Sequence, residues 1–225
     1  MLLREDLEKR FSRNPEIHER YTAGIEDLLM KGYAEKVDDT EVNSSPGMTW
    51  YIPHHCVINP NKPEKLRIVF DCAAEFEGTS LNKQVHQGPD LTNKLIGVLL
   101  RFRKHSVAIT ADVESMFHQI RVSPTHRNVL RFLWWKDGDP SKEADVYRMT
   151  VHLFGGVWSP SCASFALRHT AEEFRDQYEE RTINAVLNHF YVDDLLHSVM
   201  TEDEGIHLSN QLRSLLERPI FHLTK

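Results

Sequence analysis

Two adjacent aspartates, Asp193 and Asp194, interrupt the apolar run from Phe190 to Leu196, and no other feature of the sequence restricts the fold as tightly. Burying an unpaired carboxylate costs on the order of several kcal/mol, so something must neutralise this pair. Neighbouring side chains of a regular strand point to opposite faces, so both acids reach one cation only where the chain turns. The pattern therefore predicts a hairpin with the acids at its tip. An isolated Asp-Asp is ordinarily a solvated turn; apolar residues on both flanks argue against that here. Asp112 stands in a similar setting, at the end of the strand-like run Ser106 to Ala111 and ahead of Met116-Phe117. Three carboxylates from two separate segments suit Mg²⁺, a hard cation that keeps waters and substrate phosphates in its remaining positions.

The rest of the chain alternates helical and strand periodicity. Asn14-Pro15-Glu16 predicts a helix start and Gly32 its stop, with Ile17, Tyr21, Ile25 and Leu28 on one face. Asp38 to Gly47 reads as a loop that holds the sequon Asn43-Ser44-Ser45. Two strands follow, His55 to Ile58 and Lys65 to Asp71, with Asn59 to Glu64 as their loop, so that Lys62 and Lys65 sit at a hairpin tip. Asp90 is the expected cap of a helix through Phe102. Val129 to Trp134 and Val146 to Val151 read as strands, Ser159-Pro160 as a helix start, and Thr201 to Glu204 as a capping box. Helices and strands interleave without strict βαβ order, so the expected class is α+β rather than doubly wound.

Charge is uneven. The net charge of −6 excludes a uniformly basic nucleic-acid binder, yet residues 59–136 carry 12 basic and 7 acidic side chains, while residues 172–217 carry 3 and 11. A phosphate-binding groove is expected from the middle segment. No stretch is apolar enough to span a membrane, and the three cysteines carry no Cys-x-x-Cys, which suits a reducing, cytoplasmic setting. His54-His55-Cys56 lacks a second ligand pair for zinc, and Gly155 to Ser159 lacks the nucleophile elbow of a serine hydrolase.

Tyr191-Val192-Asp193-Asp194 resembles the Tyr-x-Asp-Asp box of reverse transcriptases, and Ile109 to Phe117 resembles their first aspartate motif. Phe154 to Pro160 resembles their Gly-x-x-x-Ser-Pro segment, and Arg67 to Asp71 the fingers strand that meets the triphosphate. The wording of Arg-Ile-Val-Phe-Asp-Cys, Met-Phe-His-Gln-Ile and Phe-Tyr-Val-Asp-Asp-Leu-Leu is most similar to the BEL/Pao class of LTR retrotransposons. Four motifs in the right order, from about residue 15 to the end, carry the likeness.

The resemblance implies right-hand polymerase fingers and palm, an antiparallel sheet with helices packed on one face, with the thumb absent. Residues 1–48 would be an N-terminal helix and fingers lead-in, 49–105 fingers, and 106–225 palm with an interleaved fingers segment near 120–150. It implies an RNA-directed DNA polymerase adding dNTPs to a primer on an RNA or DNA template with two Mg²⁺ ions, Mn²⁺ being able to substitute. Asp112, Asp193 and Asp194 would be catalytic and, with the Val113 carbonyl, hold metal. Lys62 or Lys65 with Arg67 would grip the triphosphate, and Phe117 would exclude a 2′-hydroxyl. Phe154, standing where retroviral enzymes carry Gln, and Gly155 would line the nucleotide pocket. Tyr191, Val192, Ser159 and Pro160 would meet primer and template, and Lys225 would be a general acid. The remaining polyprotein domains (thumb, RNase H, integrase) are expected partners that the sequence does not contain; no membrane partner is expected, and retrotransposon particles are an expected location. Two other readings stay open: a catalytically inactive retrotransposon-derived remnant that binds nucleic acid or protein, and an RNA-directed RNA polymerase, against which Phe117 speaks.

Overall fold

The computed structural model describes residues 2–42, 48–218 and 221–224; the sequon at Asn43, Lys225 and the side chain of Lys62 lie outside what is described. In chain order the elements are α1 (Leu2–Arg13), α2 (Pro15–Met30), β1 (Ala34–Lys36), α3 (Asp39–Val42), β2 (His54–Asn59), β3 (Lys62–Phe70), α4 (Leu81–Gln84), α5 (Leu95–Phe102), β4 (Val107–Val113), β5 (Arg131–Trp135), β6 (Ala144–Met149), α6 (Ser159–Glu173), α7 (Glu180–Asn188), β7 (Phe190–Tyr191), β8 (Asp194–Val199), α8 (Glu202–Glu217) and β9 (Leu223–Thr224). They form two compact units, Met1–His86 with Arg121–Val157, and Gln87–Ile120 with Trp158–Lys225. Residues 87–105, which the sequence reading grouped with the segment from residue 49, cluster with the second unit.

In the first unit, α2 starts as its sequence predicts. The Asn14 side chain accepts from the Ile17 amide at 3.1 Å, and Pro15 needs no partner for the N–H it lacks. Gly32, at φ +65°, ends the helix in a left-handed turn in which the Tyr33 amide reaches back to the Leu28 carbonyl. The buried Tyr21 on this helix stacks on Trp134 of the antiparallel sheet β1-β6-β5. Its hydroxyl meets His54 Nδ1 at 2.5 Å, while His54 Nε2 meets the Leu133 carbonyl at 2.9 Å. A carbonyl only accepts, so Nε2 carries the hydrogen and Nδ1 accepts from Tyr21. His54 is thus a neutral core residue, held by burial to a pKa of about 4.

Two loops differ from expectation. The β2/β3 hairpin turns at Pro60-Asn61, with Asn59 paired to Lys62. Asn59 closes the turn by accepting from the Asn61 amide at 2.9 Å, and a register shift at Ile58/Asn59 absorbs Pro63, which has no N–H for the ladder. Within the expected loop from Asp38, Asp39–Val42 forms one helical turn, whose Glu41 and Val42 carbonyls accept from the fully buried Arg131 guanidinium, both at 2.9 Å.

In the second unit the antiparallel sheet runs β7-β8-β4-β9. Ala111, Val113, Phe190, Leu195 and Val199 face a core built with Leu167 of α6, Ile183 and Val186 of α7, and Leu208, Leu212 and Leu215 of α8. The α8 capping box forms as its sequence predicts, with Thr201 and Glu204 each bonding the other's backbone. α5 begins at Leu95 rather than after Asp90, because the Asp90 carboxylate closes a local turn on the Thr92 amide at 3.0 Å. Among the described residues no helix is long and apolar enough to cross a membrane.

Candidate active site

The acidic tip forms because β7 and β8 are joined by only two residues, Val192 and Asp193. Such a short connection needs a positive φ at its first position, and Val192 adopts +56°. A β-branched residue rarely tolerates that conformation, so the turn holds strain that the surrounding ladder must offset. Phe190 pairs with Leu195 on the core face, and Tyr191 with Asp194 on the opposite, exposed face.

Asp112 joins them through β4. Its register partner on β8 is Asp194, so the two side chains stand on the same face of neighbouring strands. The Val113 amide donates to the Asp193 carbonyl at 2.9 Å, which fixes the turn against the end of β4 while the Val113 side chain is buried in the core. On its other side, β4 pairs Asp112 with Thr224 and Val113 with Leu223. Immediately beyond, Ser115 turns left-handed at φ +48° and starts a 3-10 turn, Met116–Gln119, in which Phe117 is half-buried against the core. Each acidic segment thus adjoins a residue of positive φ, Ser115 or Val192.

At the base of the acidic hairpin His189 and His197 face each other Nδ1 to Nδ1 at 2.7 Å, so one donates and the other accepts. Burial, then the neighbouring His197 and Arg101, push His189 down to about 4; burial and His105 lower His197. The sequence reading missed this pair, whose only signal was two histidines eight residues apart around the acids. α7 was missed as well; Thr182, Ile183 and Val186 were its helical signal.

The remaining nominated residues divide between the units. Ser159 is the first residue of α6 and does not cap it; its hydroxyl is fully buried and has no hydrogen-bond partner among the described residues, and Pro160 beside it is exposed. In the first unit, Lys65 and Arg67 are exposed on β3, Arg67 opposite Val57. Phe154 is 47% exposed between the buried Leu153 and Gly155. Gly155 adopts φ +101°, and a Cβ there would lie 2.9 Å from the Phe70 carbonyl oxygen, so glycine is required by the protein's own β3. Asn82, absent from the sequence reading, donates to the Gly155 carbonyl and accepts from the Val157 amide, each at 3.0 Å.

The donor set fits a hard divalent cation in kind. Asp112 and Asp194 face each other across a strand pair, an arrangement that like charge destabilises, and neither forms an ion pair among the described residues. Among those residues, however, no group of three or more His, Cys, Asp and Glu side chains is gathered into a metal cage. Mg²⁺ does not need one, since it commonly takes one or two carboxylates and completes its shell with waters and substrate phosphates.

No protein-family model matches the chain, and no curated protein matches it. Solved structures do. The foamy viral protease-reverse transcriptase in complex with double-stranded DNA matches with a TM-score of 0.66 and 18% identity, over 89% of this chain and 29% of that one. The same viral enzyme in complex with an RNA/DNA hybrid matches with a TM-score of 0.61 and 18% identity, over 89% of this chain and 22% of that one. The native prototype foamy virus enzyme gives 0.61 and 18%, over 88% and 22%. The chain therefore spans less than a third of the length of each of these three. At this identity the likeness is one of fold: an α+β chain of antiparallel sheets and helices, built like the fingers and palm of a reverse transcriptase.

Proposed function

We propose that the chain is an RNA-directed DNA polymerase domain from the Pol polyprotein of a BEL/Pao-type LTR retrotransposon, adding dNTPs to a primer 3′-hydroxyl. The observation that carries this reading is the facing pair Asp112 and Asp194, with Asp193 beside Asp194 in the turn between β7 and β8, in a chain whose fold matches that of foamy viral reverse transcriptase. In this reading the second unit is the palm and the first the fingers.

Asp112 and Asp193, with the Val113 carbonyl, would hold two Mg²⁺ ions, and Asp194 would lie beside them in a lesser ligand role. When bound, the ions supply the positive charge that favours deprotonation of the primer hydroxyl and neutralises the departing pyrophosphate. What the protein contributes is mainly position. The Val113–Asp193 bond holds the two acidic segments at a fixed offset, and the buried Phe190, Leu195 and Val113 leave them little freedom. Arg67 offers a forked donor set to the β- and γ-phosphates, with Lys65 or Lys62 as a mobile charge. Phe117, held half-buried by the core, is the proposed ring beneath the incoming sugar, and Phe154 and Gly155 the nucleotide-facing loop. Tyr191 and Val192 with Ser159 and Pro160 are the proposed primer and template contacts, and Lys225 the proton donor to pyrophosphate.

Titration of Mg²⁺ into the parent, Asp112→Asn and Asp193→Asn chains tests the metal assignment. Binding by the parent that weakens at least about tenfold in each variant supports it, as expected for loss of a carboxylate ligand. Equal binding in all three contradicts it.

A further inference from the structure

The segment Phe154-Gly155-Gly156-Val157 is held less by its own turn than by one side chain. Asn82 Nδ2 donates to the Gly155 carbonyl and Asn82 Oδ1 accepts from the Val157 amide, both at 3.0 Å, so a single carboxamide ties the two ends of a three-residue arc. Asn82 is itself anchored: its amide donates to the Cys72 carbonyl at 3.0 Å, just past the end of β3. The arc rests on the same strand end, since Gly155 packs so closely on the Phe70 carbonyl that a Cβ would come within 2.9 Å. β3, which carries Arg67, and the arc, which presents the exposed Phe154, are therefore joined through residues 70–72 and Asn82 within the first unit. No other residue type of this length offers a donor and an acceptor in one planar group, and Asp would turn an oxygen toward an oxygen.

We infer that Asn82 is a positioning residue for the incoming nucleotide: it sets the height and rotation of the Phe154–Gly155 backbone relative to the phosphate-gripping strand. This rests on the polymerase reading, and deepens it by adding a residue that touches neither metal nor substrate. Loss of the clasp should weaken nucleotide binding while leaving the chemistry of the bound state intact.

The test uses the full chain and two variants. In Asn82→Ala, amide exchange at Val157 should quicken at least about tenfold, and the KM for dNTP in single-nucleotide extension should rise about tenfold with kcat within about twofold, as expected for loss of neutral hydrogen bonds. In Asn82→Asp the Val157 bond survives, but the second oxygen opposes the Gly155 carbonyl. Charged neighbours on the same elements are Asp71 and Lys83, the latter paired with Glu75 at 2.5 Å. A carboxyl facing a carbonyl titrates high and regains the donor when protonated. The ratio of variant to parent KM should therefore shrink between pH 8 and pH 6, which a merely structural lesion would not produce. An active parent whose Asn82→Ala variant frees Val157 but keeps its KM overturns the positioning role alone. A parent that extends no primer overturns the polymerase reading as well.

Discussion

Asp112 and Asp194 are cross-strand partners on one face of the β4/β8 ladder, and the Val113 amide binds the Asp193 carbonyl beside them at 2.9 Å. Two carboxylates so placed repel each other in a metal-free protein, which makes the site a place where function and stability oppose one another. Asp194→Asn and Asp112→Asn should therefore raise the stability of the metal-free chain by about 0.2–1 kcal/mol at low salt. Urea unfolding in EDTA measures this. Added Mg²⁺ should stabilise the parent more than either variant, because a ligand stabilises only the state that binds it. A destabilised Asn variant in EDTA would contradict the account of the pair.

Gly155→Ala is expected to be costly for a reason unrelated to substrate. Its φ of +101° and the 2.9 Å approach of a new Cβ to the Phe70 oxygen both penalise any side chain. A loss of about 1–3 kcal/mol follows from the strained backbone alone. An unfolding midpoint within experimental error of the parent would contradict the geometry of this arc.

Acid should weaken the fold over a defined range. His54, His152 and His189 are buried and have pKa values lowered from 6.5 to about 4, with burial the largest cause in each. The unfolded chain therefore binds protons that the folded chain refuses between those values, so stability falls as pH drops from about 6.5 toward 4. At pH 5 each of the three contributes a loss of up to about 2 kcal/mol. Urea midpoints that stay level from pH 7 to pH 5 would contradict this.

The acidic hairpin was legible because its signal is local: apolar residues on both sides of two acids leave a turn as the only economical solution. The helix at Asn14-Pro15 and the capping box at Thr201 were legible for the same reason, since each bond is made within four residues. What the sequence hid is long-range. Asn82 looks like an ordinary helix residue until a loop 73 positions away supplies both of its partners, whereas Asp90 is a local exception, its cap-like carboxylate being claimed by Thr92 two residues on. Nor does any local pattern announce that the register sets Asp112 opposite Asp194, although the alternation of buried and exposed residues along β4 already put Asp112 on the open face.

Extension of a labelled DNA primer by one nucleotide on an RNA template, with Mg²⁺ and dNTPs, is the most direct test of the polymerase reading. The parent chain should add one deoxynucleotide, discriminate against the ribonucleotide, and lose at least about a thousandfold in rate on Asp193→Asn, since electrostatic stabilisation of the transition state is the main service the acids provide through their metals. Primer–template binding without extension by the parent, or extension that persists in Asp193→Asn, would contradict it.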